Sequence, residues 1–209
     1  METYPLSIAI FDFVPVFMFL VGAFFLTRIA IQQRSTACGR MVMAGALLIF
    51  LGGLLKAIWK LLYTVNIADI QWMSQIQFIL VAPGFVALLV VAILIARGRR
   101  KSKATPLLAI AVWKIPLLAI MTLASMGANG ILTYISFRRG ARLAGAAFVV
   151  AFLALVGMGA MASGEQTLAR QWIEESMNTV GQLGFMLGSI WLYQNFQTQG
   201  SEINCQGAS

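Results

Sequence analysis

Ionisable and amide side chains stand in this chain where long apolar runs would ordinarily leave none. In the last apolar run Gln171, Glu175, Asn178, Gln182, Ser189 and Tyr193 recur at intervals of three, four or seven residues, the spacing that lines one face of a helix. A second stripe, Lys114, Thr122, Ser125, Asn129 and Thr133, runs through the fourth apolar segment. Placed at similar depth, Lys114 and Glu175 would form an ion pair that lowers the burial cost of both. The two stripes together would make a polar seam, with Asn129 and Asn178 or Gln182 near mid-membrane.

A charged group near a bilayer centre costs about 2.5–3.5 kcal/mol on insertion scales, so each needs a reason. A carboxylate such as Glu175 handles protons or cations; a lysine beside it serves as its counter-ion or as an anion anchor. Ordinary packing is the competing account, because interhelical Asn, Gln, Ser and Thr contribute about 0.6 kcal/mol per contact with no ligand involved. Pro83 and Gly84 interrupt the third apolar run and match a glycine-rich stretch, Gly181 to Gly184, in the sixth. Weakened backbone at corresponding places in two halves points to a midplane site with free backbone groups; a simple kink is the alternative. Asp12 in the first run has two possible partners, Lys56 and Lys60, which lie four apart on one helical face. An outer Asp12–Lys56 ion pair is one expectation. For Lys60, snorkelling to the interface beside Trp59 and Tyr63 is favoured.

The elements that hold these residues are helices in a bilayer. The chain has 209 residues, of which 60% are hydrophobic and 11% charged, more apolar surface than a soluble domain of this size can hide. The spacing predicts spans at about 7–31, 41–63, 72–96, 106–135, 141–163 and 172–194. The first is read as a retained span rather than a signal peptide, since no basic region precedes it. The net charge of +8 does not indicate nucleic acid, because the basic residues cluster between apolar runs where they set orientation and meet headgroups. With no histidine at all, a His-ligated haem, a His-based zinc site and a Ser-His triad are excluded. No cofactor or metal site is expected. Cys38 and Cys205 are expected on opposite sides of the membrane, which makes a bond between them implausible.

Gln71-Trp72 opens the third run and Gln171-Trp172 the sixth, while Pro15 matches Pro116. These correspondences suggest an all-α integral membrane protein of six transmembrane helices arranged as a 3+3 repeat, one copy at about 5–100 and the other at about 103–197. Three crossings per copy would invert the second copy relative to the first. A polar tail, 198–209, is expected to be loosely ordered. Arg28, Arg34, Arg40, the basic run from Arg97 to Lys103, and Arg170 would then be cytoplasmic, with both termini outside, in a plasma membrane or a bacterial inner membrane. Arg138, Arg139 and Arg142 would fall on the outer side, against the rule. A re-entrant fourth segment would return them to the inside.

The functional expectation is a small transporter or channel whose path uses Lys114, Asn129, Glu175, Asn178, Gln182, Pro83 and Gly84. The alternative is a non-catalytic accessory or scaffold subunit holding lipid or pigment in its helix grooves, with Gly/Ala faces for a homodimer or a membrane-complex partner. An intramembrane enzyme ranks last: there is no HExxH or GxSxG motif, and Asp12 and Glu175 are expected near opposite faces.

Overall fold

In the computed structural model, residues 5–97, 114–161 and 167–206 are described, with side chains for 5–97, 119–161 and 167–199. Among these the chain is helical, with no strand: α1 (Leu6–Phe11), α2 (Phe13–Gln33), α3 (Thr36–Thr64), α4 (Gln71–Ala96), α5 (Lys114–Arg138), α6 (Arg142–Met161) and α7 (Leu168–Gln206). Local chemistry sets several boundaries. Pro15 has no N–H to give the Phe11 carbonyl, and the first span breaks between α1 and α2 at Asp12. Ser35 starts α3, its hydroxyl accepting from the Cys38 N–H at 3.3 Å. Pro116 sits in the first turn of α5, where a missing N–H costs nothing. The fourth span thus begins at Lys114, and 106–113 fall outside the described residues. The α5–α6 turn closes with Ala141 N–H donating to Ser136 O at 2.9 Å and Gly140 N–H to Phe137 O at 3.0 Å. Gly140, at φ +73°, takes the left-handed position that this closure needs.

Leu6–Gln33, Thr36–Thr64, Gln71–Ala96, Ala119–Arg138 and Arg142–Met161 are long and apolar enough to cross a membrane. Their outward faces suit lipid: Leu123, Leu143 and Leu153 are 69%, 68% and 60% exposed. The sixth long helix, α7, falls outside that set because its polar stripe lowers its hydropathy. It nevertheless runs the depth of the bundle, from Trp172 beside the Phe11 ring to Phe196 under the Arg139 guanidinium.

The long helices close into a ring, α2–α3–α4–α5–α6–α7 and back to α2. Glycines let neighbours approach closely: a Cβ on Gly84 of α4 would stand 2.6 Å from the Gly45 carbonyl of α3, and one on Gly184 of α7 would stand 2.7 Å from the Ala147 carbonyl of α6. The face of α7 that carries Gly184 and Gly188 is covered by α6 of the same chain.

Helix directions follow from the contacts. Gly39 meets Ile31 and Gly53 meets Val16, so α3 is antiparallel to α2; Gly45 meets Ala87 and Gly52 meets Val81, so α4 is antiparallel to α3. Phe19 stacks on Phe185 and Phe25 meets Tyr193, so α7 runs parallel to α2. Gly184 meets Ala147 and Gly157 meets Met177, so α6 is antiparallel to α7. Gly145 meets Phe137, which makes α5 antiparallel to α6, and Arg139 reaches Gln33 at the end of α2 with a 3.2 Å hydrogen bond. The helices α2, α4, α5 and α7 therefore all run from the Trp172 end to the Arg139 end, while α3 and α6 return.

The two halves run in the same sense, and the inversion expected from three crossings per copy does not appear. That expectation assumed that the second half begins where the first ends. Instead α4 finishes at the Arg139 end and α5 starts at the Trp172 end; the joining stretch, 98–113, lies outside the described residues.

Several expectations change with this. Arg138, Arg139 and Arg142 share an end with Arg28, Arg34, Arg40 and Arg97, whereas Arg170 lies at the other. The first and last helical turns, at Leu6 and Gln206, lie at opposite ends of the bundle rather than together outside. Cys38 and the backbone of Cys205 share the Arg139 end. The tail expected to be loose continues α7 as helix to Gln206, with Gln199 donating to the Arg139 carbonyl at 3.2 Å.

Candidate functional site

The parallel course of α2 and α7, with the last turns of α3 packed against α1 and α2, brings three charged residues together. The Lys60 ammonium on α3 donates to Asp12 Oδ2 at 3.1 Å and to Glu175 Oε1 at 2.7 Å. All three are buried, at 5%, 4% and 8% exposure. Asp12 sits at the α1–α2 break, Lys60 one turn before the end of α3, and Glu175 in the second turn of α7. The triad thus lies within the Trp172 end. The Phe11 and Trp172 rings, 6.2 Å apart, stand on its outer side.

Three expectations are corrected here. Asp12 and Glu175 share one cation instead of lying near opposite faces, because α7 enters from the end where α2 begins. The ion-pair partner of Asp12 is Lys60, not Lys56; Lys56 lies one turn away, half-buried, with its charge acting on both carboxylates. Lys60 does not snorkel. Its head group is turned inward and held by two carboxylates, while Trp59 and Tyr63 stack on each other and Trp59 Nε1 donates to Asp69 Oδ1 at 3.1 Å. Glu175 already has a cation from α3; Lys114, the first residue of α5, has its side chain outside the described residues.

Beyond the triad toward mid-bundle lies a cavity of about 160 Å³. Asn178, which lines it, is three residues from Glu175, and Phe19 on α2 is seven from Asp12. At about 1.5 Å per residue the cavity begins roughly one to two turns inward of the triad. Ser125 and Asn129 of α5 and Asn178 and Gln182 of α7 line it together, among the rings of Phe19, Phe85 and Phe185. The two polar stripes therefore face one space from either side of α6 rather than touching along a seam.

Asn129 Nδ2 donates to Ser125 O at 3.0 Å, and its buried Oδ1 has no partner. The outer members of the stripes do not reach the cavity. Thr133 bonds Asn129 O on its own helix at 2.9 Å, and Tyr193 accepts from Gln197 at 2.6 Å. Pro83 and Gly84 also lie elsewhere. Gly84 is buried against Gly45 and Ile49 of α3, so it serves helix approach, while its neighbour Phe85 and then Leu88 face the cavity.

Among the described residues no group of three His, Cys, Asp or Glu side chains is placed to hold a metal ion. The chain matches no protein-family model, no curated protein and no solved structure.

Proposed function

We propose that this chain crosses a bilayer as six helices and carries a small polar solute through it. In this reading the mid-bundle cavity is the binding site and Asp12, Lys60 and Glu175 are the gate at one mouth. The observation that carries the proposal is the stacking of a buried three-residue ion cluster directly over an amide-lined cavity inside a ring of apolar helices. Buried charge is costly in such surroundings and is kept where it does work. Same-sense halves around a central site are a known carrier arrangement, although that support is analogy of architecture alone.

The cluster couples naturally to protons. Two carboxylates face one ammonium, so adding a proton to either leaves a neutral pair and loosens the link between α2, α3 and α7. The arginines at the Arg139 end, Arg28, Arg34, Arg40, Arg97, Arg138, Arg139 and Arg142, support a reading with that end on the cytoplasmic side of a plasma or bacterial inner membrane.

The test is flux into liposomes loaded with a pH-sensitive dye, driven by a proton gradient. Wild-type protein is expected to dissipate the gradient, and Glu175→Gln to abolish that activity while remaining monodisperse. Wild-type flux in the variant, or none in the wild type, refutes the proposal.

A second reading, an accessory subunit that holds lipid or pigment or docks a partner, is favoured by a separate feature. The outward faces of α6 and α7 enclose an apolar groove of about 280 Å³ lined by Leu143, Val150, Val180, Leu187 and Trp191. Stable co-purification with a partner or pigment, without flux by the isolated chain, decides for that reading.

A further inference from the structure

We infer that the mid-bundle cavity selects small neutral molecules bearing a carboxamide-like pair, an N–H and a C=O side by side, on a flat apolar body. The inference rests on the carrier reading of the same site and names its substrate class.

Charge is the first constraint. Among the described residues no ionisable side chain lines the cavity; Glu175, one turn from Asn178 on α7, is engaged by Lys60. A charged solute would enter with no counter-ion and lose its hydration, which is prohibitive in so apolar a bundle. Zwitterions fail for the same reason.

Hydrogen bonding is the second. The Asn129 amide has a fixed orientation, because the group opposite its nitrogen is the Ser125 carbonyl at 3.0 Å, which accepts only from an N–H. Its Oδ1 is therefore the atom left over, buried and without a partner. That oxygen is closed even to a water molecule, so the polar groups open to a ligand are those of α7. Across the cavity Asn178 and Gln182 have no hydrogen-bond partner among the described residues. Each offers both an N–H and a C=O. A ligand carboxamide satisfies both α7 amides at once, its N–H toward one amide oxygen and its C=O toward the other's N–H.

Shape is the third constraint. Phe19, Phe85 and Phe185 share the remaining wall with aliphatic side chains such as Leu26, Leu88 and Leu132, an apolar surface that favours a flat apolar body over a polyol. The volume, about 160 Å³, resembles the roughly 150 Å³ that admits a benzene-sized molecule in other proteins.

Three probes of one shape and different charge test this: benzamide, benzoate and benzamidine, titrated calorimetrically into the full chain in lipid nanodiscs. Benzamide is expected to bind at least tenfold more tightly than either ion. Asn178→Leu and, separately, Gln182→Leu should each weaken benzamide by about tenfold, the usual effect of one lost buried hydrogen bond. The wild-type charge ranking stands without either variant, so a variant that misfolds leaves the test intact. Equal or tighter binding of benzoate or benzamidine overturns the inference, as does no benzamide binding. The two readings separate in liposomes. Benzamide bound but not carried sinks the carrier and upholds the inference; proton-driven flux without benzamide binding does the reverse.

Discussion

Removing the Lys60 ammonium while keeping the length of its side chain, by Lys60→Met, isolates what the ion cluster contributes. Lys60 is 5% exposed and contacts both carboxylates, at 3.1 and 2.7 Å. Its loss leaves two buried negative charges facing each other. Deleting one partner of a buried ion pair costs about 3–5 kcal/mol. Lys56, one turn away and half-buried, supplies part of the missing charge, so the lower end applies, about 3 kcal/mol. For a chain of this length each kcal/mol moves the midpoint by about 2–4 °C, which gives a drop of roughly 6–12 °C in thermal unfolding in detergent.

Two companions make the measurement specific. The triple variant Asp12→Asn, Lys60→Met, Glu175→Gln removes all three charges and should recover to within about 3 °C of wild type, since neutral replacement of a buried cluster is often harmless. The penalty in Lys60→Met should also shrink as pH falls, because protonated carboxyls no longer require a counter-charge. A midpoint within about 2 °C of wild type for Lys60→Met at neutral pH would refute the buried cluster, since an exposed pair contributes only about 0–1 kcal/mol.

Helix direction is tested by labelling single cysteines in a background with Cys38 and Cys205 replaced by serine. Arg34→Cys and Arg139→Cys should react from one side of the membrane and Ile67→Cys, at a site 72% exposed, from the other. Joint labelling of positions 67 and 139 would restore the inverted arrangement. Gly184→Val should cost about 1–3 kcal/mol in thermal unfolding, since its Cβ would meet the Ala147 carbonyl at 2.7 Å and the Ala151 nitrogen at 3.1 Å, both backbone. Gly159→Ala, with nothing within 4 Å of the new carbon, should leave the midpoint unchanged or raise it; equal losses at both positions would contradict the α6–α7 contact.

Span positions were legible because apolar length is a local signal. The reading at about 72–96 meets a helix at Gln71–Ala96, and Pro15 and Pro116 mark helix starts through the same missing donor. Direction was not legible, because it is inherited through connections. One wrong assumption about how α4 leads to α5 reversed every later helix. That single error moved Arg139 to the wrong side and separated Asp12 from Glu175. The arginines carried the warning: placing Arg138, Arg139 and Arg142 outside broke the positive-inside bias, and the same-sense arrangement removes that conflict.

The site divides along the same line. Asn129, Asn178 and Gln182 could be read from periodicity, since a stripe on a helix faces whatever that helix encloses, whichever way the helix points. The ion cluster could not, because it depends on which end of α7 meets which end of α3. Lys60 shows the difference most clearly. Trp59 and Tyr63 beside it are the usual company of a snorkelling lysine, and the local pattern argued for an interfacial head group. What turns it inward is the pair of carboxylates delivered by two other helices, Asp12 at a break set by Pro15 and Glu175 from a chain segment 115 residues away. A lysine four residues from a helix end can reach water at little cost. That Lys60 remains buried means the two carboxylates outweigh the hydration it gives up. Two carboxylates share one ammonium, so a single proton changes the net charge of the buried cluster, and the proposed gate rests on that property.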